Sequence, residues 1–173
     1  MNNEVLTCLE ERRSVRKYKD EQISDAQLEA ILKAGLYAPT GMNKQSPVMA
    51  VFQDKEIIAK LSRLNAEAMG RDVDPFYGAP TVIMVLADKN VFTWVEDGAL
   101  VMGNLMNAAH AVGVDSCWIH RAGNVSETPE GREILRSMGI GDEYVGVGNC
   151  ILGYRDCEYP EARERRPGRI FKY

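Results

Sequence analysis

Three arginines and one serine lie within five residues near the start of the chain, as Arg12, Arg13, Ser14 and Arg16. Guanidinium groups carry donors in a fork that matches phosphate oxygens, and a hydroxyl adds a neutral hydrogen bond. Cations this close together are costly to hold without an anion between them. The segment therefore indicates a site for a small anionic group. A solvated helix end is the alternative, because basic residues favour the last turn of a helix.

A second polar segment lies between two prolines, over residues 39–47. Prolines at both ends and an internal glycine are typical of a loop. The loop includes Thr40, Asn43 and Gln45, whose side chains donate and accept hydrogen bonds without carrying charge. Uncharged polar side chains of this kind can form hydrogen bonds with the edge of a ring or with a polyol chain. The alternative is a turn whose side chains satisfy its own backbone.

The spacing of apolar residues predicts the helix that leads into the arginine segment. We expect it over residues 4–11, with Asn3 as the N-cap and with Val5, Leu6 and Leu9 as an inward-facing stripe. Capping-box patterns predict two further helix starts, at Ser24 and at Thr93. The helix after Thr93 is apolar nearly all round, which favours burial on more than one side and a subunit interface.

Four apolar runs with flanking turn residues predict strands, and helical patterns lie between them. The glycines of the last run suggest a bulge or a close backbone approach. The alternating apolar end of the chain could add a further strand or pack on a partner subunit. This order predicts an α/β or α+β fold with a mixed sheet covered on both faces. The predicted strands are residues 48–52, 81–87, 115–120 and 144–154.

Composition limits the classes of function. The 173 residues suit a single domain, and a net charge of −4 does not favour a general nucleic-acid role. Basic residues instead concentrate in residues 12–19 and 163–172, which again suggests a small anionic ligand. The four cysteines form no C-x-x-C pair and no metal-ligand spacing. Without an apolar leader or a membrane-length apolar run, we expect reduced thiols and a cytoplasmic location.

Six motifs in order along the chain resemble those of the FMN-dependent nitroreductase family. They are Arg-Arg-Ser-Val-Arg at 12–16, Ala-Pro-Thr-Gly-Met-Asn-Lys-Gln at 38–45, Gly-Ala-Pro at 78–80, Asp-Gly-Ala at 97–99, Ser-Cys-Trp-Ile at 116–119, and Leu-Gly-Tyr at 152–154 before the basic tail. Each motif alone is weakly specific, whereas six in the correct order form a strong signal. The resemblance covers nearly the whole chain.

The resemblance implies an α+β fold, an α/β/α sandwich whose central sheet is mixed but mainly antiparallel, in one domain over residues 1–173. It implies an intertwined homodimer with FMN at the subunit interface. NAD(P)H would be a transient donor, and hydride would pass through FMN to an electron-poor acceptor such as a nitroaromatic or a quinone. The chain has no G-x-G-x-x-G loop for tight dinucleotide binding, which is consistent with a transient donor.

The resemblance also assigns candidate contacts with FMN, and no metal. Its phosphate, ribityl chain and pyrimidine edge would be held by Arg12, Arg13, Ser14 and Arg16. The loop would come from the other subunit with Pro39, Thr40, Asn43 and Gln45. Trp118, Ile119 and His120 would lie along the ring, and Arg165 or Arg166 would reach the phosphate.

Two positions depart from the family pattern. Ser46 and Pro47 follow Gln45 where the family often has Pro-Trp, and His120 stands where it commonly has Gly. Both positions lie where substrate would bind, so they bear on the choice of acceptor. His120 is a candidate proton donor or substrate contact, and a structural histidine at a strand end is the alternative.

Three other functions stay open at this point. The chain could be a specialised reductase for enones or halogenated aromatics. It could be a flavin-binding or storage protein with little turnover. It could also be a structural dimer without a cofactor, which would be colourless.

Overall fold

The computed structural model describes residues 3–173, and these form six α-helices and four strands. The helices are α1 (Glu4–Glu11), α2 (Asp25–Leu36), α3 (Lys55–Met69), α4 (Trp94–Ala111), α5 (Ala122–Glu127) and α6 (Pro129–Ser137). The strands are β1 (Val48–Phe52), β2 (Thr81–Asp88), β3 (Asp115–Ile119) and β4 (Tyr144–Gly153). A short 3-10 helix, Gly41–Asn43, lies in the predicted loop. The four predicted strands are confirmed to within a few residues, and the short helix α5 is an element that the sequence analysis missed.

The strands form one sheet in the order β1-β2-β4-β3, with every neighbouring pair antiparallel. An isolated parallel bridge from Ser14 to Ser116 adds the N-terminal segment beside β3. The register between β2 and β4 shifts at Val85 and Leu86, opposite Gly146 and Gly148. The predicted α+β class is therefore confirmed, and within residues 3–173 the parallel part of the predicted mixed sheet is limited to this bridge.

Helices cover both faces of the sheet. Alternate residues of β2 point to opposite sides: Val82 and Met84 join one core cluster, while Ile83 and Val85 join the other. The first cluster packs against α3, α5 and α6, and the second against α2 and α4. Burial of β2 on both faces explains its continuous apolar run. The result is the α/β/α sandwich that the resemblance implied.

Most predicted helix starts are confirmed by their caps. Asn3 accepts the backbone N–H groups of Val5 and Leu6, and Ser24 forms a reciprocal capping box with Gln27. The predicted capping box at Thr93 is wrong, because its side chain accepts no bond from the helix backbone. Its hydroxyl instead donates to a carboxylate oxygen of Asp97, 3.0 Å away. The backbone at Thr93, with φ −98° and ψ 21°, is not extended as at a usual N-cap, so the hydroxyl is placed toward Asp97 and not toward the first N–H groups of the helix.

The predicted inward stripe of α1 is also wrong for the single chain. Val5 is 66%, Leu6 45% and Leu9 51% exposed. The helix rests against α4, where the Cys8 thiol lies 3.4 Å from the backbone oxygen of Asn107. The spacing of apolar residues correctly indicated a helix with an apolar face, but residues 3–173 leave that face exposed.

The segment after β4 has no regular secondary structure in the part of the chain that the structure describes. Ile170 and Phe171 are 81% and 90% exposed, so the predicted strand at this end does not form here. Within residues 3–173, no helix is long and apolar enough to cross a membrane.

Candidate active site

The arginine segment runs alongside β3 and is held there by Val15. Val15 is fully buried, and its N–H donates to the backbone oxygen of Ser116 at 3.1 Å. The hydroxyl of Tyr18 donates to the backbone oxygen of Val15 at 2.8 Å. Burial of Tyr18 disfavours its charged form and raises the pKa of its hydroxyl well above the usual range, so it stays a donor. Val15 is thus the anchor, while Arg12 and Arg13 are half-buried and Arg16 is exposed.

Two guanidinium nitrogens of this segment are buried without hydrogen-bond partners among residues 3–173: Arg12 Nη1 and Arg13 Nε. The other end of the Arg13 side chain donates to the backbone oxygens of Glu10, at 2.6 Å, and Arg12, at 2.8 Å. Buried charged donors without an acceptor are costly, and native proteins normally satisfy them. The donor set therefore fits a ligand that brings anionic oxygens, as a phosphate does.

The two basic clusters of the sequence meet at one cavity of about 690 Å³. Arg12 and Arg13 line it from one side, and Arg163 and Arg165 of the tail line it from the other, together with two glutamates. Arg166 lines a different cavity, of about 480 Å³, formed by the tail alone. Of the two tail arginines expected near a phosphate, Arg165 is therefore the one that shares a cavity with the N-terminal pair. Arg16 is exposed and does not line this cavity.

In the loop over residues 39–47, the three polar residues expected to bind FMN are hydrogen-bonded to one another. The Gln45 backbone N–H donates to the Thr40 hydroxyl at 3.0 Å, and the Gln45 amide donates to Asn43 Oδ1 at 3.1 Å. Met42, Asn43 and Gln45 have positive φ angles of 51°, 54° and 50°. Positive φ is uncommon for residues other than glycine and stores strain. The self-bonded turn considered as an alternative is therefore present, although Asn43 and Gln45 remain exposed.

Asp97 supports this loop from the first turn of α4. Its side chain is only 2% exposed, and Oδ1 accepts the backbone N–H of Gly41 at 2.8 Å. A Cβ atom at Gly41 would lie 2.3 Å from the Thr93 hydroxyl oxygen, so the close approach requires glycine. Sequence analysis placed Asp97 in a family motif but gave it no role, because its partner is 56 residues away.

The end of β3 carries the remaining predicted contacts. Trp118 is half-buried on the α2–α4 side of the sheet, where the absence of a side chain at Gly148 makes room for its indole. Ile119 packs toward the opposite core, and His120 is exposed. The buried Asn65 side chain donates to the backbone oxygen of His120 at 2.9 Å. This bond fixes the strand end, and sequence reasoning gave no sign of it.

The structure therefore brings some of the predicted residues together and leaves others apart. Arg12, Arg13 and Arg165 share a cavity, and the bridge to Ser116 places Ser14 beside β3. Among residues 3–173, no hydrogen bond joins the loop at 39–47 to the arginine segment. The loop at 39–47 and the arginine segment therefore form two separate regions of the chain.

Comparisons with known proteins agree with this geometry. A model described as the nitroreductase family matches residues 9–73. An Archaeoglobus fulgidus protein named "Putative NADH dehydrogenase/NAD(P)H nitroreductase" is 33% identical over 178 residues, covering 98% of this chain and 97% of that protein. The chain belongs to the nitroreductase family. The matched residues 9–73 of this nitroreductase-family chain contain both the arginine segment and the loop at 39–47.

Solved structures extend the likeness to the whole fold. A nitroreductase with bound FMN from Bacteroides fragilis has a TM-score of 0.89 and 30% identity, covering 99% of this chain and all of that one. An FMN-dependent nitroreductase from Clostridium difficile has a TM-score of 0.88 and 25% identity, with full coverage of both chains. The nitroreductase fold expected from the sequence motifs is thereby confirmed.

Proposed function

We propose that this protein is an FMN-dependent NAD(P)H oxidoreductase that passes a hydride to an electron-poor acceptor such as a nitroaromatic or a quinone. The observation that carries the proposal is a pair of buried guanidinium nitrogens, Arg12 Nη1 and Arg13 Nε, which have no partner in the described part of the chain and belong to residues that share a cavity with Arg165. When bound, FMN supplies the hydride chemistry that protein side chains lack. The names of the relatives support the same donor and cofactor.

In this proposal, Arg12, Arg13 and Arg165 hold the phosphate, because all three residues line one cavity. Ser14 and Arg16 contact the ribityl chain and the pyrimidine edge. A fixed cation near that edge stabilises the negative charge that reduction places there. Trp118, Ile119 and His120 at the end of β3 line the ring.

We propose a homodimer in which Pro39, Thr40, Asn43 and Gln45 of a second copy complete each site. The support is exposed apolar surface that a soluble single chain rarely leaves open. It includes the outer face of α1, the end of α2 and the tail. The most exposed apolar side chains among residues 3–173 are Val5, Leu36, Tyr37, Met42, Phe92, Ile170, Phe171 and Tyr173.

The decisive experiment is an absorbance spectrum of the purified protein before and after anaerobic addition of NADH or NADPH. We expect a yellow protein that releases FMN on denaturation and is bleached by at least one donor. A screen of nitroaromatics, quinones, enones and halogenated aromatics would then identify the acceptor class. Bleaching with turnover on the last two classes alone would identify the specialised reductase.

Two other outcomes would contradict the proposal. A yellow protein that neither donor bleaches would be a flavin-binding or storage protein. A colourless protein that also fails to take up added FMN would have no flavin site, and the arginine segment would then be surface charge. Sedimentation at micromolar concentration tests the dimer separately.

A further inference from the structure

The hydroxyl of Tyr159, in the segment after β4, contacts the arginine segment on both sides of Arg12. It accepts the backbone N–H of Arg13 at 2.9 Å and donates to the backbone oxygen of Glu11 at 3.0 Å. One side-chain atom thus binds the peptide groups that precede and follow Arg12, whose buried Nη1 has no partner among residues 3–173. The backbone at Arg12 is held from two directions by one group.

The ring that carries this hydroxyl is itself held by two other residues. His110 stacks on it, with ring centroids 5.9 Å apart and planes inclined by 11°. The guanidinium carbon of Arg155 lies 5.0 Å from the centroid of the same ring. Arg155 is tied by side-chain and backbone bonds of 3.1 to 3.3 Å to Asp115, which is buried at the start of β3. The position of the hydroxyl is therefore fixed by His110 in α4 and, through Arg155, by Asp115 in β3.

We propose that Tyr159 is a positioning residue for phosphate binding, which fixes the backbone at residues 11–13 so that Arg12 and Arg13 present their donors before the ligand arrives. This inference rests on the proposed function, because the phosphate is that of FMN. Donors fixed in advance lose little freedom on binding, and affinity rises for that reason. The same fixation opposes the tendency of neighbouring guanidinium groups to move apart into solvent.

The test compares Tyr159→Phe with the wild-type chain for two ligands, FMN and riboflavin, which share a ring system and differ in the phosphate. Phenylalanine keeps the ring against His110 and Arg155, so the variant retains the packing and loses only the hydroxyl, including its 3.3 Å contact with His110 Nδ1. We expect the dissociation constant for FMN to rise about 5- to 30-fold, as for one or two lost hydrogen bonds. The dissociation constant for riboflavin should not change.

Tyr154→Phe is the matched control. The Tyr154 hydroxyl is also part-buried and donates to Gln27 Oε1 at 2.7 Å, but it makes no contact with the arginine segment. This variant should bind FMN and riboflavin as the wild type does. Thermal unfolding of both variants without ligand measures how much stability each lost hydroxyl costs.

The outcomes separate this inference from the proposed function. If the wild type does not bind FMN, both the proposed function and this inference are wrong. If the wild type binds FMN and Tyr159→Phe binds it equally well, only the inference is overturned. Equal weakening of FMN and riboflavin would also overturn it, because a general loosening of the fold does not discriminate between ligands with and without a phosphate.

Discussion

The arginine segment at residues 12–16 and the loop at residues 39–47 are held in opposite ways. In the first, the backbone is anchored to β3 through Val15, while guanidinium donors remain buried and unpaired among the described residues. In the second, polar side chains bond to one another, while the backbone adopts strained positive φ angles at three residues other than glycine. One region lacks hydrogen-bond acceptors, and the other stores conformational strain.

The difference shows what each region needs in order to be stabilised. Unpaired buried donors cost about 1–3 kcal/mol, and an anion at the cavity removes that cost. Backbone strain costs about 1–3 kcal/mol per residue, and it is not relieved by a small ion. The loop instead offers a fixed, exposed surface, with Met42 86% exposed at its tip. A ligand suits the first region, and a second protein surface suits the second.

The largest expected effect is that of Arg12→Ala on FMN binding. Removal of a charge-assisted hydrogen bond should weaken binding by about 1.5–3 kcal/mol, or about 10- to 150-fold. The free energy of unfolding without FMN should not decrease by more than about 1 kcal/mol, because the buried Nη1 atom has no partner among residues 3–173 and its removal relieves the cost of an unsatisfied donor. Fluorescence titration and urea unfolding measure the two quantities.

Arg71→Ala is the control, since Arg71 is exposed after α3 and its side chain lies away from the cavity. It should change neither FMN affinity nor stability. If Arg12→Ala destabilised the ligand-free protein as much as it weakened FMN binding, the arginine segment would be structural and the contrast with the loop would fail.

A smaller effect is expected from Asp97→Ala, which removes the support of the loop. The backbone N–H of Gly41 and the hydroxyl of Thr93 would both lose their acceptor. We expect the free energy of unfolding to decrease by about 1–3 kcal/mol, measured by urea unfolding. Asp97→Asn keeps one oxygen acceptor and should lose less. Equal stability of Asp97→Ala and the wild type would mean that the loop holds its shape without α4.

The smallest effect, and the one of opposite sign, is expected from Gln45→Gly. Glycine adopts positive φ without strain, so this exposed substitution should increase the free energy of unfolding by up to about 1 kcal/mol. Lys44→Gly is the neighbouring control, because φ is −70° at Lys44 and glycine should there decrease stability by about 0.5–1 kcal/mol. Destabilisation by both substitutions in urea unfolding would show that the loop is not strained at Gln45.

Much of the fold follows from local sequence patterns. The apolar run at β2 predicted a strand buried on both faces, and Ser24 with Gln27 predicted the start of α2. The six-residue helix α5 was missed because its Ala-Gly-Asn-Val-Ser-Glu sequence is too short to show a period. The apolar stripe of α1 predicted a contact but could not indicate which molecule makes it.

The candidate site was less accessible to sequence reasoning. The arginines and the loop were found because several donors lie close together in sequence. Asp97, Asn65 and Tyr159 were missed because each acts on a backbone group far along the chain, where residue type gives no local signal. Thr93 was misassigned for a related reason, since the carboxylate of Asp97 draws its hydroxyl away from the helix backbone.

The contact between Tyr159 and Arg13 joins residues 146 positions apart, and this separation has a consequence for biosynthesis. The ribosome makes Arg13 before the 146 residues that end at Tyr159. During translation the arginine segment therefore has no contact with the Tyr159 hydroxyl until those residues have been made. A nascent chain that stops at the end of β4 has the arginines but not the hydroxyl that holds their backbone, so under our proposal tight binding of FMN requires the segment after β4.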